Sequence, residues 1–389
     1  MMSEHPLPPV PHNGMTLLHT VATAVLDLSD VPNPGTFSLP YPAEAQRALD
    51  RTILACLLRG AEPPRSVPDL LVWCQEIPVV DWPLDLPEDL AAPNEYLIDP
   101  HALEPTQLCY EWAIDHPDSA TDQVDRELVF AAIEQCRTAR SPASYAAFRR
   151  LLIEHPVLTR EEAAATALEP AFLPVAGLLP HIYLRAPVAW TRDGMFYSCG
   201  RCKTLLIPTR DDGWWCENDR CRRTGPAPVG ATNHEDAGGG LLALTRPLRL
   251  FVTTPGRAEL RLEKKLRGLH IQAQMWPEYD AYDLLVPLPD GQVWAVDVKD
   301  WANPALLGRH IKPLPETPRY DNAFVVVPDH RLRRRANYLD VVIRNMRRAV
   351  ASKLVLMSER QLTAAVRDAV TRHDGREADG HETTEDDDA

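Results

Sequence analysis

The sequence predicts a multidomain chain. A helical N-terminal domain covers residues 1–185, a four-cysteine zinc ribbon 186–226, a linker 227–245, an α/β domain with a central mixed sheet 246–373, and an acidic disordered tail 374–389. Three observations carry this layout. Apolar residues recur at helical spacing in one segment after another of the first half. Two cysteine pairs with short intervals follow, Cys199-Gly-Arg-Cys202 and Cys216-Glu-Asn-Asp-Arg-Cys221. Then YDAYDLLVPLPDGQVWAVDVK, residues 279–299, folds two apolar runs about a Pro-Asp-Gly turn and ends in Asp-Val-Lys.

At 389 residues, the chain has room for roughly two or three domains. Its 45% apolar and 25% charged content is that of a water-soluble globular protein. The net charge of −14 is unevenly spread. Residues 246–373 carry 22 Lys and Arg against 14 Asp and Glu, residues 1–245 carry 18 against 33, and residues 374–389 carry 1 against 8. The basic excess coincides with the hairpin, where a polyanion would bind. The opening MMSEHPLPPVPHNG is polar and Pro-rich, unlike a signal segment, and no run approaches the ~18–20 apolar residues of a membrane span. These features place the chain in the cytoplasm, with no membrane contact.

In chain order, the first half reads as helices. The first, 15–30, ends before Pro32 and Pro34; the second, 42–59, has Pro42 near its start and Gly60 at its end; Val67–Glu76 is a short third. Residues 105–115, 121–139, 142–155 and 159–168 continue the pattern, with starts at 118–122 and at Ser141-Pro142. Cys56, Cys74, Cys109 and Cys136 sit at scattered spacings inside these helices and are expected to be buried and reduced. No catalytic constellation occurs here, so this half serves either as a docking surface for a protein partner or as a scaffold.

Cys199, Cys202, Cys216 and Cys221 have the spacing of two knuckles that turn four thiolates toward one ion. Met195–Ser198 leads into the first knuckle and Gly213–Trp215 into the second, as short strands would. Four thiolates close the coordination of Zn²⁺ and leave no place for water, which makes the role structural. The ribbon either adds nucleic-acid contacts through Arg201, Lys203, Arg220, Arg222, Arg223 and its tryptophans, or only stabilises a small module. Residues 225–240 have linker composition, and Gly238–Gly240 lacks the Lys-Ser/Thr of a phosphate-cradling loop.

In the last domain, Asp283 and Asp297 each lie seven residues from Asp290. A hairpin centred there sets them opposite each other, with Cβ atoms roughly 4.5–5.5 Å apart. A turn centred half a residue later would pair Asp283 with Val298 instead. Two carboxylates this close need a cation between them, and a hard, oxygen-loving ion such as Mg²⁺ or Mn²⁺ fits. Lys299 beside them suits a phosphate or the attacking water. Upstream, Thr254 as N-cap and Pro255 at the first position open a helix. On it Glu259, Leu262 and Leu266 share one face, and Arg261, Lys264 and Lys265 the other. Glu259 can look toward the metal, with Glu263 a rival for the role. A short helix at Asn303–Lys312, strands at Ala323–Val327 and Val355–Met357, and a helix at Ala336–Ala351 complete the domain. In that last helix Arg344, Arg347 and Arg348 share a face. With Arg331, Arg333, Arg334 and Arg335 just before it, they form a basic cluster that either grips phosphates or lies solvated at the surface.

A helix with Glu259, a strand with Asp283 and a strand ending Asp297-Val298-Lys299 together resemble the PD-(D/E)XK, or restriction-endonuclease-like, nuclease superfamily. Tyr282 stands where the family name places a proline. The resemblance implies that Asp283 and Asp297 bind a divalent ion, that Lys299 assists the attacking water, and that Glu259 supports the site. The order of helical region, four-cysteine ribbon and nuclease fold is also similar to the restriction-endonuclease-like protein of bacterial PIWI-RE modules. That family implies an Argonaute-like PIWI-RE protein and a DinG-type helicase as partners, and defence against invading DNA. The expected function is a Mg²⁺-dependent DNA endonuclease. The alternatives are a catalytically silent nucleic-acid-binding or assembly subunit, and an RNA nuclease. A pure binding module has no need of paired carboxylates that repel phosphate.

Overall fold

A computed structural model describes residues 14–29, 39–87, 89–114 and 120–382. The Pro-rich opening, the helix start at 118–119 and the tail end 383–389 lie outside the described residues. The chain divides into two units, Met1–Thr121 and Asp122–Ala389.

In the first unit, helices α1 (Gly14–Ser29), α2 (Ala43–Leu58), α3 (Val67–Glu76) and α4 (Gln107–Ile114) pack around Leu18, Val21, Ala48, Leu70 and Trp112. Ser66 caps α3 by accepting from the Asp69 N–H, with Pro68 in the first turn. His19 Nδ1 lies 2.6 Å from the Trp112 carbonyl oxygen, tying α1 to α4. Cys56, Cys74 and Cys109 are buried here, and Cys136 in the second unit; none is in a disulfide.

The boundary of the two units falls within the first turn of α5 (Ala120–Thr138), and α6 (Pro142–Glu154), capped by Ser141, follows in the second unit. Strand β1 (Val157–Thr159) runs into α7 (Arg160–Leu168), where Thr159 and Glu162 form a reciprocal capping box. After α8 (Leu179–Ile182) comes β2 (Tyr183–Arg185). The ribbon follows: β3 (Met195–Cys199), β4 (Leu206–Pro208), β5 (Trp214–Cys216), α9 (Asp219–Arg223) and β6 (Val229–His234). Strand β7 (Leu241–Leu244) then lies between β1 and β2, antiparallel to both.

These pairings correct two sequence expectations. The helical domain does not extend to 185, because β1 and β2 build a sheet with β7, and residues from 122 onward belong to the second unit. Nor is 227–245 a linker, since β6 pairs with β3 and β7 closes the small sheet. Two glycines of this stretch, Gly230 and Gly238, serve close packing. A Cβ on Gly230 would lie 2.8 Å from the Gly200 Cα, so only glycine lets β6 cross the first knuckle. Strands of three or four residues are also too short to show a period.

Next, α10 (Arg246–Leu248), a π turn over Arg249–Thr253 and α11 (Thr254–Arg267) run on as one rod of helical backbone. Thr254 is therefore not an N-cap. Its backbone is already helical and its Oγ1 bonds the Arg249 carbonyl at 2.9 Å. Pro255 cannot donate a backbone hydrogen bond, and the widened turn before it accommodates that loss.

The remaining elements build the main sheet. They are β8 (Gln274–Met275), the turn α12 (Pro277–Asp280), β9 (Leu284–Pro287), β10 (Val293–Val298), α13 (Pro304–His310), β11 (Asn322–Val327), α14 (Asp329–Arg334), α15 (Tyr338–Asn345), α16 (Arg348–Ala351), β12 (Val355–Ser358) and α17 (Glu359–Glu382). The strand order is β12-β11-β10-β9-β8, with β10, β11 and β12 parallel and β8 and β9 antiparallel: a mixed sheet. Leu262 and Leu266 of α11 and Leu362 and Val366 of α17 cover Val296 and Val298 on one face. Leu307 of α13 and Tyr338 and Val342 of α15 cover Ala295, Val325 and Val327 on the other. Each of these leucines and valines contributes about 1.5–3 kcal/mol on burial.

Two further expectations change. The helix at 336–351 breaks at Met346 and Arg347, whose ψ of 141° and 132° are extended, so Arg344 does not share a helix face with Arg347 and Arg348. The disordered tail does not start at 374, because α17 continues to Glu382.

Candidate active site

The hairpin between β9 and β10 pairs Leu284 with Val296 and Leu285 with Ala295. Asp283 therefore enters the hairpin one residue beyond Leu284, beside Asp297, in the register that a turn at Asp290 predicts. Asp283 is buried, and its Oδ2 accepts the Val298 N–H at 2.6 Å. Lys299 Nζ donates to Asp297 Oδ1 at 2.8 Å, and 34% of its side chain is exposed. Burial, then the charges of Glu259 and Asp297, push the Asp283 carboxyl well above the usual range, against the pull of Lys299. For Lys299, burial works against the charged form, but Asp297 and Asp283 outweigh it and raise its pKa.

Glu259 lies on the buried face of α11. The Trp276 indole Nε1 donates to its Oε2 at 2.6 Å, and Arg149 Nη2 stands 3.5 Å from its Oε1. Arg149 Nε is also 3.7 Å from Asp280, which accepts the Tyr145 hydroxyl at 2.9 Å. Asp280 faces this way because Trp276, Glu278, Tyr279 and Asp280 all take left-handed φ, from 47° to 78°. Such a run costs about 1–2 kcal/mol per residue. Its anchors are Tyr145 and Arg149 of α6, the indole bond to Glu259 and the Trp276 N–H bond to the Asp283 carbonyl (2.8 Å). Burial raises the Glu259 pKa and Asp280 adds to it, with Arg149 pulling the other way. Glu263 is not the rival it looked in the sequence: it pairs with Arg150 and Arg267.

Sequence reading missed Arg149, Tyr145 and Asp280. Arg149 lies 110 residues before Glu259, on a helix whose period marks its core face but not what an arginine there meets. A signal existed in the buried face itself, where Tyr145, Phe148 and Arg149 fall on one side of α6. The approach is tight. A Cβ on Gly256 would lie 2.4 Å from Ile153, and Thr253 Oγ1 bonds the Leu152 carbonyl at 2.7 Å.

Four carboxylates (Glu259, Asp280, Asp283 and Asp297) thus share the site with two cations, Arg149 and Lys299. A divalent cation balances that difference, and the oxygen-only donors suit Mg²⁺ or Mn²⁺. Among the described residues, however, the four cysteines are the one group of three or more potential ligands whose ligand atoms all lie within 4.8 Å of one another.

Those cysteines are buried and disulfide-free, with Cys202 and Cys216 Sγ 3.4 Å apart. Tetrahedral Zn²⁺ with bonds of about 2.3 Å needs sulfurs at about this spacing, so the residues fit the ion. The second knuckle faces the domain of the five-stranded sheet. Buried Glu217 bonds Arg249 at 2.8 and 3.2 Å, with Arg246 at 3.6 Å. Asn218 reaches Thr254 at 3.4 Å, and Asp219 pairs with Arg331 at 3.2 Å. Burial opposes ionisation of Glu217, but Arg249 and Arg246 prevail and lower its pKa. Arg201 and Arg222, candidates for nucleic acid, are spent on carbonyls of the ribbon itself.

The basic cluster also divides. Arg331 is 1% exposed and bonds Asp300 (2.5 Å) as well as Asp219, so it holds the ribbon to the sheet and cannot meet a phosphate. Arg334 leans toward Asp219 at 3.9 Å, and Arg335 donates to Asn337 at 3.2 Å. Arg333, Arg344, Arg347 and Arg348 are exposed. A different group assembles where ribbon meets α11. Burial, then Arg220, push the Arg261 pKa down to about 10, with Arg257 adding to the repulsion and Glu359 and Asp300 opposing it.

No helix among the described residues is long and apolar enough to cross a membrane. Residues 17–159 match the family described as pPIWI_RE three-gene island domain Y. Residues 256–374, which hold Glu259, Asp283, Asp297 and Lys299, match the family described as REase associating with pPIWI_RE. No curated protein and no solved structure matches the chain. The ribbon lies between the two matched regions, and the chain thus joins in one polypeptide a part similar to the island domain Y and a part similar to the REase of pPIWI_RE modules.

Proposed function

We propose that the protein is a divalent-metal-dependent DNA endonuclease that acts with pPIWI_RE proteins, an Argonaute-like protein and a DinG-type helicase among them, in defence against invading DNA. The carrying observation is the register of the β9–β10 hairpin, which sets Asp283 beside Asp297 with Lys299 at the strand end. Asp283 and Asp297 would hold Mg²⁺ or Mn²⁺, which supplies Lewis-acid polarisation of the phosphate when bound. Lys299, raised in pKa and partly exposed, is a cation at neutral pH that steadies the developing negative charge on the phosphate. Arg149 and Trp276 position Glu259 and, through Asp280, the turn before Asp283.

A second reading is a catalytically silent assembly subunit. It draws on the bonds that occupy the acids, Lys299 on Asp297, Val298 N–H on Asp283 and Arg149 on Glu259. Cleavage of plasmid, single-stranded DNA and RNA with Mg²⁺ or Mn²⁺, comparing wild type with Asp297→Ala and Lys299→Ala, separates the readings. Metal-dependent cutting of DNA, lost in both variants and weaker at acid pH where Asp283 holds its proton, is expected. Cutting that survives in both removes the site, preference for RNA removes the substrate, and no cutting by wild type with island partners added favours the silent subunit.

A further inference from the structure

We propose that Arg220 and Arg261 form a cradle for the phosphodiester backbone of a nucleic acid, built across the seam between the ribbon and α11 that Arg257 fastens. The proposal deepens the nuclease reading by naming where the substrate strand is held. It does not use the basic cluster at 331–348, from which the structure withdraws Arg331.

Arg257 and Arg261 lie one turn apart on α11 and therefore on one face. Arg257 Nη2 donates to the carbonyl oxygen of Cys202, so that face lies against the first knuckle, and its Nε is buried with no hydrogen-bond partner. Arg220 comes from α9, inside the second knuckle, and its charge reaches Arg261. Among the described residues, the side chains of Arg220 and Arg261 have no hydrogen bond or ion pair. The nearest acids are already committed: Asp300 to Arg331 and His330, and Glu359 to Lys265 at 2.8 Å.

Arg220 and Arg257 repel Arg261, and the acids that oppose this, Glu359 and Asp300, are shared with Lys265 and Arg331. A phosphate, with oxygens spaced for the planar fork of arginine, relieves that repulsion. The position suits a strand being cut. Asn218 of the second knuckle reaches Thr254 at 3.4 Å, on the stripe of α11 that continues through Arg257 and Arg261, and Asp300, which follows Lys299, lies within electrostatic reach of Arg261. The ribbon thus supplies one wall of the substrate path through Arg220, and its second knuckle is fastened by Glu217 to Arg249 and by Asp219 to Arg331.

The test is binding of the full zinc-loaded chain to fluorescein-labelled duplex DNA by anisotropy, in buffer without added magnesium or manganese, over a series of salt concentrations. Arg220→Ala/Arg261→Ala is expected to bind about tenfold more weakly, with a salt slope shallower by about two. Arg220→Lys/Arg261→Lys should retain most of the affinity, and the alanine variant should melt no lower than wild type, because it loses repulsion rather than a bond. Equal affinity and slope in the alanine variant and wild type overturn the cradle. Weaker binding accompanied by a lower melting temperature and lost zinc overturns it too, since the arginines would then be structural. Wild type that binds DNA through these arginines but never cleaves it removes the nuclease reading and leaves the cradle standing.

Discussion

Arg149→Ala isolates the charge balance of the site. The side chain is buried between Glu259 and Asp280, and its loss leaves Glu259, with only 2% of its side chain exposed, without a cation in contact. Stripping one partner from a buried pair costs about 3–5 kcal/mol. Glu259 has an escape, because it can take up a proton. From an ordinary value of 4.5 that uptake costs at most about 3.4 kcal/mol at pH 7 and about 1.4 kcal/mol at pH 5.5. Protonation is the cheaper route, so the loss should sit near 3 kcal/mol at pH 7 and fall by about half at pH 5.5. The sign follows from the direction of the shift. An acid whose pKa is raised by folding is most compatible with the fold when protonated, and stability is lost as pH rises through that raised value. Urea unfolding followed by tryptophan fluorescence at the two pH values reads the difference. Glu259→Gln in the Arg149→Ala background removes the stranded charge and should return most of the loss. A deficit of the same size at both pH values, or one under about 0.5 kcal/mol, would refute the reasoning.

Two further outcomes test the packing around the site. The chain should carry about one zinc, and its removal by a chelator, or Cys216→Ser, should lower the melting temperature of the second unit by roughly 5–10 °C as the Glu217–Arg249 and Asp219–Arg331 pairs open; an unchanged melt would show that the ribbon is not a clamp. Gly256→Ala should cost about 1–3 kcal/mol through its overlap with Ile153, despite the higher helix propensity of alanine; in an Ile153→Ala background the same change should become neutral or stabilising, as a double-mutant cycle would report.

Where a feature depends on residues close in the chain, the sequence determined it by itself. The hairpin follows from a Pro-Asp-Gly turn flanked by short apolar runs, which narrows the register to two neighbouring alignments; the structure has the one that sets Asp283 beside Asp297. The four cysteines announce a candidate metal site through spacing alone. Helix starts at Ser66, Ser141 and Thr159 obey the need of orphan N–H groups for a side-chain oxygen. Even α17, which sequence reading passed over, shows its core face in Leu362, Val366 and Ala369.

Only the tertiary structure decided what depends on distant residues. An arginine looks the same in sequence whether it ends in solvent or in a buried pair, which is why Arg331 read as a phosphate contact and Arg149 as nothing. The glycine-rich stretch at 225–240 read as a linker because composition reports backbone freedom, not the neighbour that requires it at Gly230. The three-stranded sheet β1-β7-β2 joins segments more than 80 residues apart, and strands this short carry no periodic signal. Local sterics and hydrogen bonding write themselves into neighbouring residues. The balance of charge across a buried site is set by whichever helices happen to pack there.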